Sequence, residues 1–292
     1  MKLTHDSEKN VWHFETEELS GFIQPEGARH GVKQLLHKPT GVQVVHPKYD
    51  ALNLFLQFST NLCMGSAREK ARTVRATDAT LEVRWPPTDD HRVEMVARYA
   101  VKEPNIIDLT ITVRPQWPYP AYELFLSNYF DTSLRPHVFV QGCPYTNPPN
   151  QPQWTAPEVN DVYLGTGLVF PRDPHAARLS VDGRWARLKA KVLYQWNPQR
   201  FYEKPVVFQA DPARRVAAVL MSRPEDCFAV VTGYHSQNPN DPFAAQNPMY
   251  LSLFGDDLMP GQERTVRTRL AVTRLDGDLS RPLALYDTFV RG

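Results

Sequence analysis

The chain has 292 residues, 42% of them hydrophobic and 11% aromatic, enough apolar material for a large core, and a single domain over residues 1–292 is expected. Thirty-three Lys and Arg against 32 Asp and Glu leave a formal charge of +1, which gives no net field toward nucleic acid or an anionic membrane, so neither is an expected partner. No apolar run approaches the roughly 20 residues that cross a bilayer, the first ten residues lack a signal peptide's apolar centre, and Cys63, Cys143 and Cys227 have no C-x-x-C spacing, so a soluble protein of the reducing cytoplasm is expected.

The first informative stretch, Pro25-Glu-Gly-Ala-Arg-His-Gly-Val-Lys-Gln-Leu-Leu-His-Lys-Pro-Thr-Gly41, reads as two short strands and a tight turn. Val32, Leu35 and Leu36 supply buried side chains, Gly27 and Gly31 permit close backbone approach, and Lys38-Pro-Thr-Gly41 has turn residues. Arg29, His30 and His37 ride on this hairpin, the two histidines reading as solvent-facing turn residues. A strand follows at 53–60. From 79 to 85 the chain alternates, with Leu81, Val83 and Trp85 on one face, and Val93, Met95, Ala97 and Tyr99 repeat the pattern. Ile107, Leu109, Ile111 and Val113 oppose Asp108, Thr110, Thr112 and Arg114, which completes a meander. Further strands are predicted at 122–128, 138–141, 162–170, 189–196, 206–210, 216–222, 228–233, 250–254 and 265–273. So many strands imply an all-β fold, a large two-sheet β-sandwich. Leu283, Tyr286, Asp287 and Val290 follow Pro282 at helical spacing and predict a short C-terminal helix over one sandwich edge.

Three stretches read as loops, 141–161, 196–205 and 235–248, and loops over a rigid sheet are where binding residues gather. They hold what sugar recognition needs: aromatic faces at Trp154, Trp196, Phe201 and Tyr202, with planar polar groups at Asn197, Gln199 and Arg200. His137 follows Arg135-Pro136 at a strand entry. In Val230-Val-Thr-Gly-Tyr-His-Ser236, Tyr234 and His235 fall on opposite faces where an apolar strand meets a polar loop. Glu203 offers a carboxylate beside Phe201-Tyr202. His5, His13, His46, His91 and His175 read as structural or surface residues, and Asp89-Asp90 and Asp256-Asp257 as surface turns. No P-loop, dinucleotide fingerprint, H-E-x-x-H or G-x-S-x-G occurs, and neither a cofactor nor a metal is expected.

The opening hairpin, taken with Leu258-Met-Pro-Gly-Gln-Glu263 ahead of an alternating strand, resembles the galactose mutarotase-like (aldose 1-epimerase-like) β-sandwich superfamily, whose members bind or transform sugars. The resemblance implies a large supersandwich and a carbohydrate ligand. In that family a histidine acid and a carboxylate base open the sugar ring, the base lying on the strand ahead of the L-x-P-G-E-like turn. Here that strand reads Met249-Tyr-Leu-Ser-Leu-Phe254 without a glutamate, and Ser127-Asn-Tyr-Phe130 is similar to the family's N-H-x-Y-F segment without its histidine. Glu263 follows the turn, where the family's glutamate is structural. The chain is therefore a divergent member by resemblance, and ordinary mutarotation is not expected.

The leading expectation is recognition of a mono- or oligosaccharide by Arg29, His30, Trp154, Trp196, Arg200, Tyr202 and Tyr234. A second is an epimerase, lyase or glycoside hydrolase with His235 and His137 as acid and base and Glu203 as a third member. A third is a protein-interaction module, which the same loops suit. Arg29, His137, Glu203 and His235 are expected to meet in one cleft.

Overall fold

Period-two alternation between apolar and polar side chains governs the architecture. A computed structural model describes residues 2–60, 62–145, 147–157, 166–187, 195–198, 200–233 and 247–292. Five strands open the chain, β1 (Thr4–Asp6), β2 (Val11–Glu15), β3 (Leu19–Gln24), β4 (Gly31–His37) and β5 (Val42–Gln43), and pair in that order as a small antiparallel sheet. There follow β6 (Asn53–Ser59), β7 (Leu62–Ser66), β8 (Thr73–Ala76), β9 (Thr80–Trp85), β10 (Val93–Lys102), β11 (Ile106–Pro115), β12 (Tyr119–Phe130), β13 (Arg135–Val140), β14 (Gln153–Thr155) and β15 (Thr166–Pro171). Helix α1 (Pro174–Ser180) precedes β16 (Gln195–Pro198), β17 (Tyr202–Asp211), β18 (Val216–Ser222), β19 (Cys227–Gly233), β20 (Asn247–Leu258) and β21 (Arg264–Arg274), and α2 (Ser280–Arg291) ends the chain.

Two large sheets form the sandwich. One has nine strands in the order β14-β13-β17-β18-β21-β11-β10-β9-β8, the other seven in the order β16-β15-β19-β20-β12-β6-β7. Among the described residues all strand pairings are antiparallel except β15 with β16. Leu81, Val83, Met95, Tyr99, Leu109 and Ile111 from the nine-stranded sheet meet Leu124, Leu126, Val230 and Leu251 from the seven-stranded one in a continuous buried core. Because side chains alternate along a strand, the core residues of β12 leave Phe125 and Tyr129 on the opposite, outer face, in a second apolar cluster. A third cluster lies outside the nine-stranded sheet.

The meander and the central strands form where the alternation places them. Several local expectations need correction. The C-terminal helix covers a sheet face rather than an edge, because Tyr286 and Phe289 pack on Val206, Phe208, Val219 and Met221. Val290 stays 38% exposed. Residues 196–205 are not a loop: β16 ends at Pro198, and Tyr202 begins β17 as a buried core residue. His30 and His37 are buried, not solvent-facing. The small N-terminal sheet was not expected, nor was α1, whose Asp173 caps the Ala176 N–H at 2.8 Å with Pro174 in the first turn. The predicted strand starts at 162 and 189 lie outside the described residues. Among the described residues no helix is long and apolar enough to cross a membrane.

Gly31 ties the small sheet to the sandwich. Its φ is +118°, and a Cβ there would stand 2.4 Å from the Ala51 carbonyl oxygen. This close approach lets Val32 and Ala51 exchange backbone hydrogen bonds of 2.8 and 2.9 Å, which draws Arg29 toward Asp50. Gly31→Ala is expected to destabilise the protein by roughly 2–3 kcal/mol, read by urea denaturation, because it combines left-handed backbone with a clash against backbone. A change below a few tenths would contradict that role.

Candidate functional site

The outer face of the seven-stranded sheet gathers the groups that sequence reasoning sought in loops. Residues 44–50 run beside the end of β12 through backbone bonds from Asp131 N to Val44 O (2.9 Å), His46 N to Tyr129 O (3.1 Å) and Tyr129 N to Asp50 O (2.9 Å). Tyr49 thereby lies against Tyr129, ring centroids 5.0 Å apart. Tyr129 meets Tyr250 at 6.0 Å, Tyr250 meets Phe125 at 4.6 Å, and Phe125 meets Phe55 at 6.5 Å. Guanidinium groups cap both ends of this aromatic run. Arg29 lies 4.3 Å from the Tyr49 ring centroid and Arg68 lies 4.0 Å from that of Phe55.

Arg68 comes from a tight helical turn at Ala67–Glu69 that Ser66 caps through its hydroxyl (3.2 Å to Arg68 N). Its Nε donates to Asn53 Oδ1 (2.8 Å) and its Nη2 to Ser127 Oγ (3.0 Å), so the guanidinium plane is fixed on β6 and β12. Asp50 lies behind it. That carboxyl is fully buried, neither oxygen has a hydrogen-bond partner, and the nearest cation, Arg68 Nη2, stands 4.0 Å away. Burial pushes Asp50 up to about 6 against the opposing pull of Arg68, Lys33 and Arg29. Desolvation outweighs these charges and the stabilising pull of the Asn53 side chain. Burial likewise lowers Lys33 and His46, the latter packed 4.8 Å from Tyr49.

The far end of the face is closed. Arg184, fully buried, donates to Glu123 Oε2 on β12 (2.7 Å) and to Asp182 Oδ2 (2.9 Å). Its neighbour Trp185 covers Phe58 and Phe125, each at 4.7 Å. Burial pushes the Glu123 carboxyl up while the Arg184 charge opposes it.

Of the residues singled out in the sequence, Arg29 stands at this face. His30 lies beneath it without exposed surface; its Nε2 accepts from Leu54 N (3.1 Å), its ring packs 5.6 Å from Trp85, and burial with nearby Arg72 holds it well below the usual imidazole range. His137 is on the other sheet, stacked 4.4 Å from Phe208 on the outer face that α2 covers, its Nδ1 3.1 Å from Arg135 O. Trp154 shares that cluster, donating to Leu279 O at 2.9 Å. Tyr202 is in the core, its hydroxyl donating to Cys227 O. Glu203 is exposed on β17, and Arg200 is exposed and bonds Gln141 O. Tyr234, His235 and the side chain of Trp196 lie outside the described residues. Arg29 and His137 thus stand on opposite faces of the sandwich and do not meet in one cleft. Physically, Tyr202 and His137 alternate into packed layers rather than into solvent.

Tyr49, Asp50, Phe55, Arg68, Tyr129 and Tyr250 were missed. The period of β12 carried a signal, since Glu123, Phe125, Ser127 and Tyr129 alternate with Leu124, Leu126 and Asn128, which point to the other face. On β20 the outer face carries Tyr250, with no carboxylate among Met249–Phe254. Glu263 pairs with Arg114 at 2.7 Å, a surface ion pair. A cleft of about 910 Å³ opens elsewhere, between Glu18, Thr273, Arg274, Asp276 and Arg281, but no aromatic side chain lines it, and a sugar ring has nothing to stack on there.

No protein-family profile matches this sequence, and no curated protein matches it in sequence. Solved structures do match in shape. A putative aldose 1-epimerase from Escherichia coli K12 aligns at TM-score 0.51 and 10% identity, covering 91% of this chain and 99% of the other. An aldose epimerase homologue from C. elegans aligns at TM-score 0.54 and 9% identity, with 91% and 99% covered. A heparan sulfate lyase from Pedobacter heparinus aligns at TM-score 0.50 and 6% identity, covering 94% of this chain and 37% of the lyase. At such identities the likeness concerns the fold, and it agrees with the strand order and layers above: the chain has the galactose mutarotase-like, aldose 1-epimerase-like β-sandwich fold.

Proposed function

We propose that this protein recognises carbohydrate at the outer face of its seven-stranded sheet, on the part-exposed ring of Tyr49, which the buried Tyr129 and Tyr250 back. The observation that carries the reading is the aromatic run closed at each end by a face-on guanidinium, Arg29 on Tyr49 and Arg68 on Phe55. Ring C–H groups of a pyranose pack on aromatic faces, and guanidinium N–H groups pair with vicinal hydroxyls. Sugar-acting proteins among the structural neighbours support it. Calorimetric titration with a panel of neutral and acidic mono- and oligosaccharides tests it, and Tyr49→Ala is expected to weaken binding about tenfold in a variant that still unfolds cooperatively. Equal affinity in Tyr49→Ala would move the ligand elsewhere.

One observation favours a second reading, an enzyme. Asp50 is a buried carboxyl without hydrogen-bond partners, held near neutrality beside the same aromatic face, which suits proton transfer at a bound sugar. This reading replaces His137 and Glu203, which stand away from Arg29. Any turnover is expected to show a pH–rate limb near 6 that Asp50→Asn abolishes along with most of kcat.

A further inference from the structure

The cations around Asp50 outnumber the acids that could neutralise them. Arg29 rises from the segment before β4, Lys33 from β4 itself, Arg68 from the helical turn after β7, and Arg72 follows four residues later. Among the described residues Arg29, Lys33 and Arg72 have no carboxylate within ion-pair distance, and Arg68 reaches only Asp50, at 4.0 Å. Arg72 is held by carbonyls instead, Gly27 O at 3.1 Å and Arg68 O at 2.8 Å. Several other arginines are paired with carboxylates, Arg184 with Glu123 at 2.7 Å, Arg264 with Asp256 at 2.9 Å and Arg269 with Asp108 at 2.6 Å. Nearby acids are engaged elsewhere, Glu26 by Asn10 Nδ2 (2.9 Å) and Asp131 by Arg214 (2.9 Å).

Asp50 is a poor counterion. It offers at most one negative charge, held back by burial, against the four cations Arg29, Lys33, Arg68 and Arg72, so local positive charge persists in a chain whose net charge is +1. Arg29 is exposed and lies over the Tyr49 ring, and a guanidinium can pair bidentately with a planar or tetrahedral anion.

We infer that the ligand of this face is an anionic sugar, one whose carboxylate or phosphate group is held by Arg29 and Lys33 while its ring lies against Tyr49. The inference rests on the carbohydrate reading of the same site and adds the charge of the ligand. Excess positive charge attracts such a group and disfavours nothing neutral, so discrimination comes from charge-assisted hydrogen bonds. Ionised Asp50 opposes the bound anion, and its removal strengthens the complex.

Matched titrations test this: glucuronate, galacturonate and glucose-6-phosphate against glucose and galactose, on the full chain at low and at physiological salt. The acidic sugars are expected to bind about tenfold or more tighter than their neutral counterparts, with a gap that narrows as salt rises. Comparing the uronates with the sugar phosphate separates the two anion types. Lys33→Met is expected to reduce acidic-sugar affinity about tenfold while leaving neutral-sugar affinity in place, Arg29→Gln to weaken acidic sugars about tenfold more than neutral ones, and Arg29→Lys to recover part of that difference. Asp50→Asn is expected to tighten acidic-sugar binding near pH 8. Equal or preferential binding of neutral sugars overturns the inference and leaves carbohydrate recognition standing. Binding of neither class overturns both.

Discussion

Arg184→Met is expected to cost about 3–5 kcal/mol of folding stability, the largest single loss on the described face. The side chain is wholly buried and holds Glu123 at 2.7 Å and Asp182 at 2.9 Å, so its removal strands a buried carboxylate. Glu123 then escapes only by taking a proton. A carboxyl whose folded value lies above its unfolded one keeps its stability at low pH and loses it as pH rises, so the deficit of Arg184→Met is expected to shrink in acid. The double variant Glu123→Gln with Arg184→Met removes both charges and is expected to recover most of the loss. Trp185, packed on Phe58 and Phe125, supplies a fluorescence report of whether the covering turn has lifted. A single variant as stable as the parent at neutral pH would contradict the importance of the pair.

Asp50→Asn is expected to move stability the other way. Burial holds the carboxyl near 6 instead of its ordinary 3.8, so the folded protein binds that proton more tightly than the unfolded chain. Stability from this group is intact below about pH 4 and is lost as pH climbs through 6, amounting to about 3 kcal/mol by neutrality. Asparagine does not ionise. Urea denaturation at pH 4 and pH 8 is expected to show the difference between variant and parent widening in the variant's favour by about 3 kcal/mol. A difference that does not change with pH would mean that Asp50 is ionised at little cost. A carboxyl kept at the expense of stability fits a site selected for its chemistry.

The sandwich was legible because alternation survives translation into sheets: Leu81, Val83, Met95, Tyr99 and Ile111 all lie in the core where period two places them. The N-terminal sheet was not, since Thr4–Asp6 and Leu19–Gln24 are short and mix apolar with polar residues. The proline bias of residues 141–161 read as a loop, but Gln153–Thr155 forms the edge strand β14 against β13, and the same reasoning misjudged Trp154 and Tyr202, whose rings face packed layers. Arg29 was visible as a basic residue between glycines. Asp50 was not, because Pro47-Lys-Tyr-Asp50 has the composition of a solvent turn, and only Tyr129, Arg68 and the Val32–Ala51 bridge bury it. The absence of a family-type glutamate in Met249–Phe254 was legible and agrees with a β20 outer face that carries Tyr250.

A crystal of the protein soaked with the tightest-binding sugar of the panel locates the ligand directly. The account predicts electron density for the ring against Tyr49, with polar groups reaching Arg29 and Arg68. Density against Trp154 and His137 beneath the C-terminal helix, or in the cleft between Thr273 and Arg281, would contradict it.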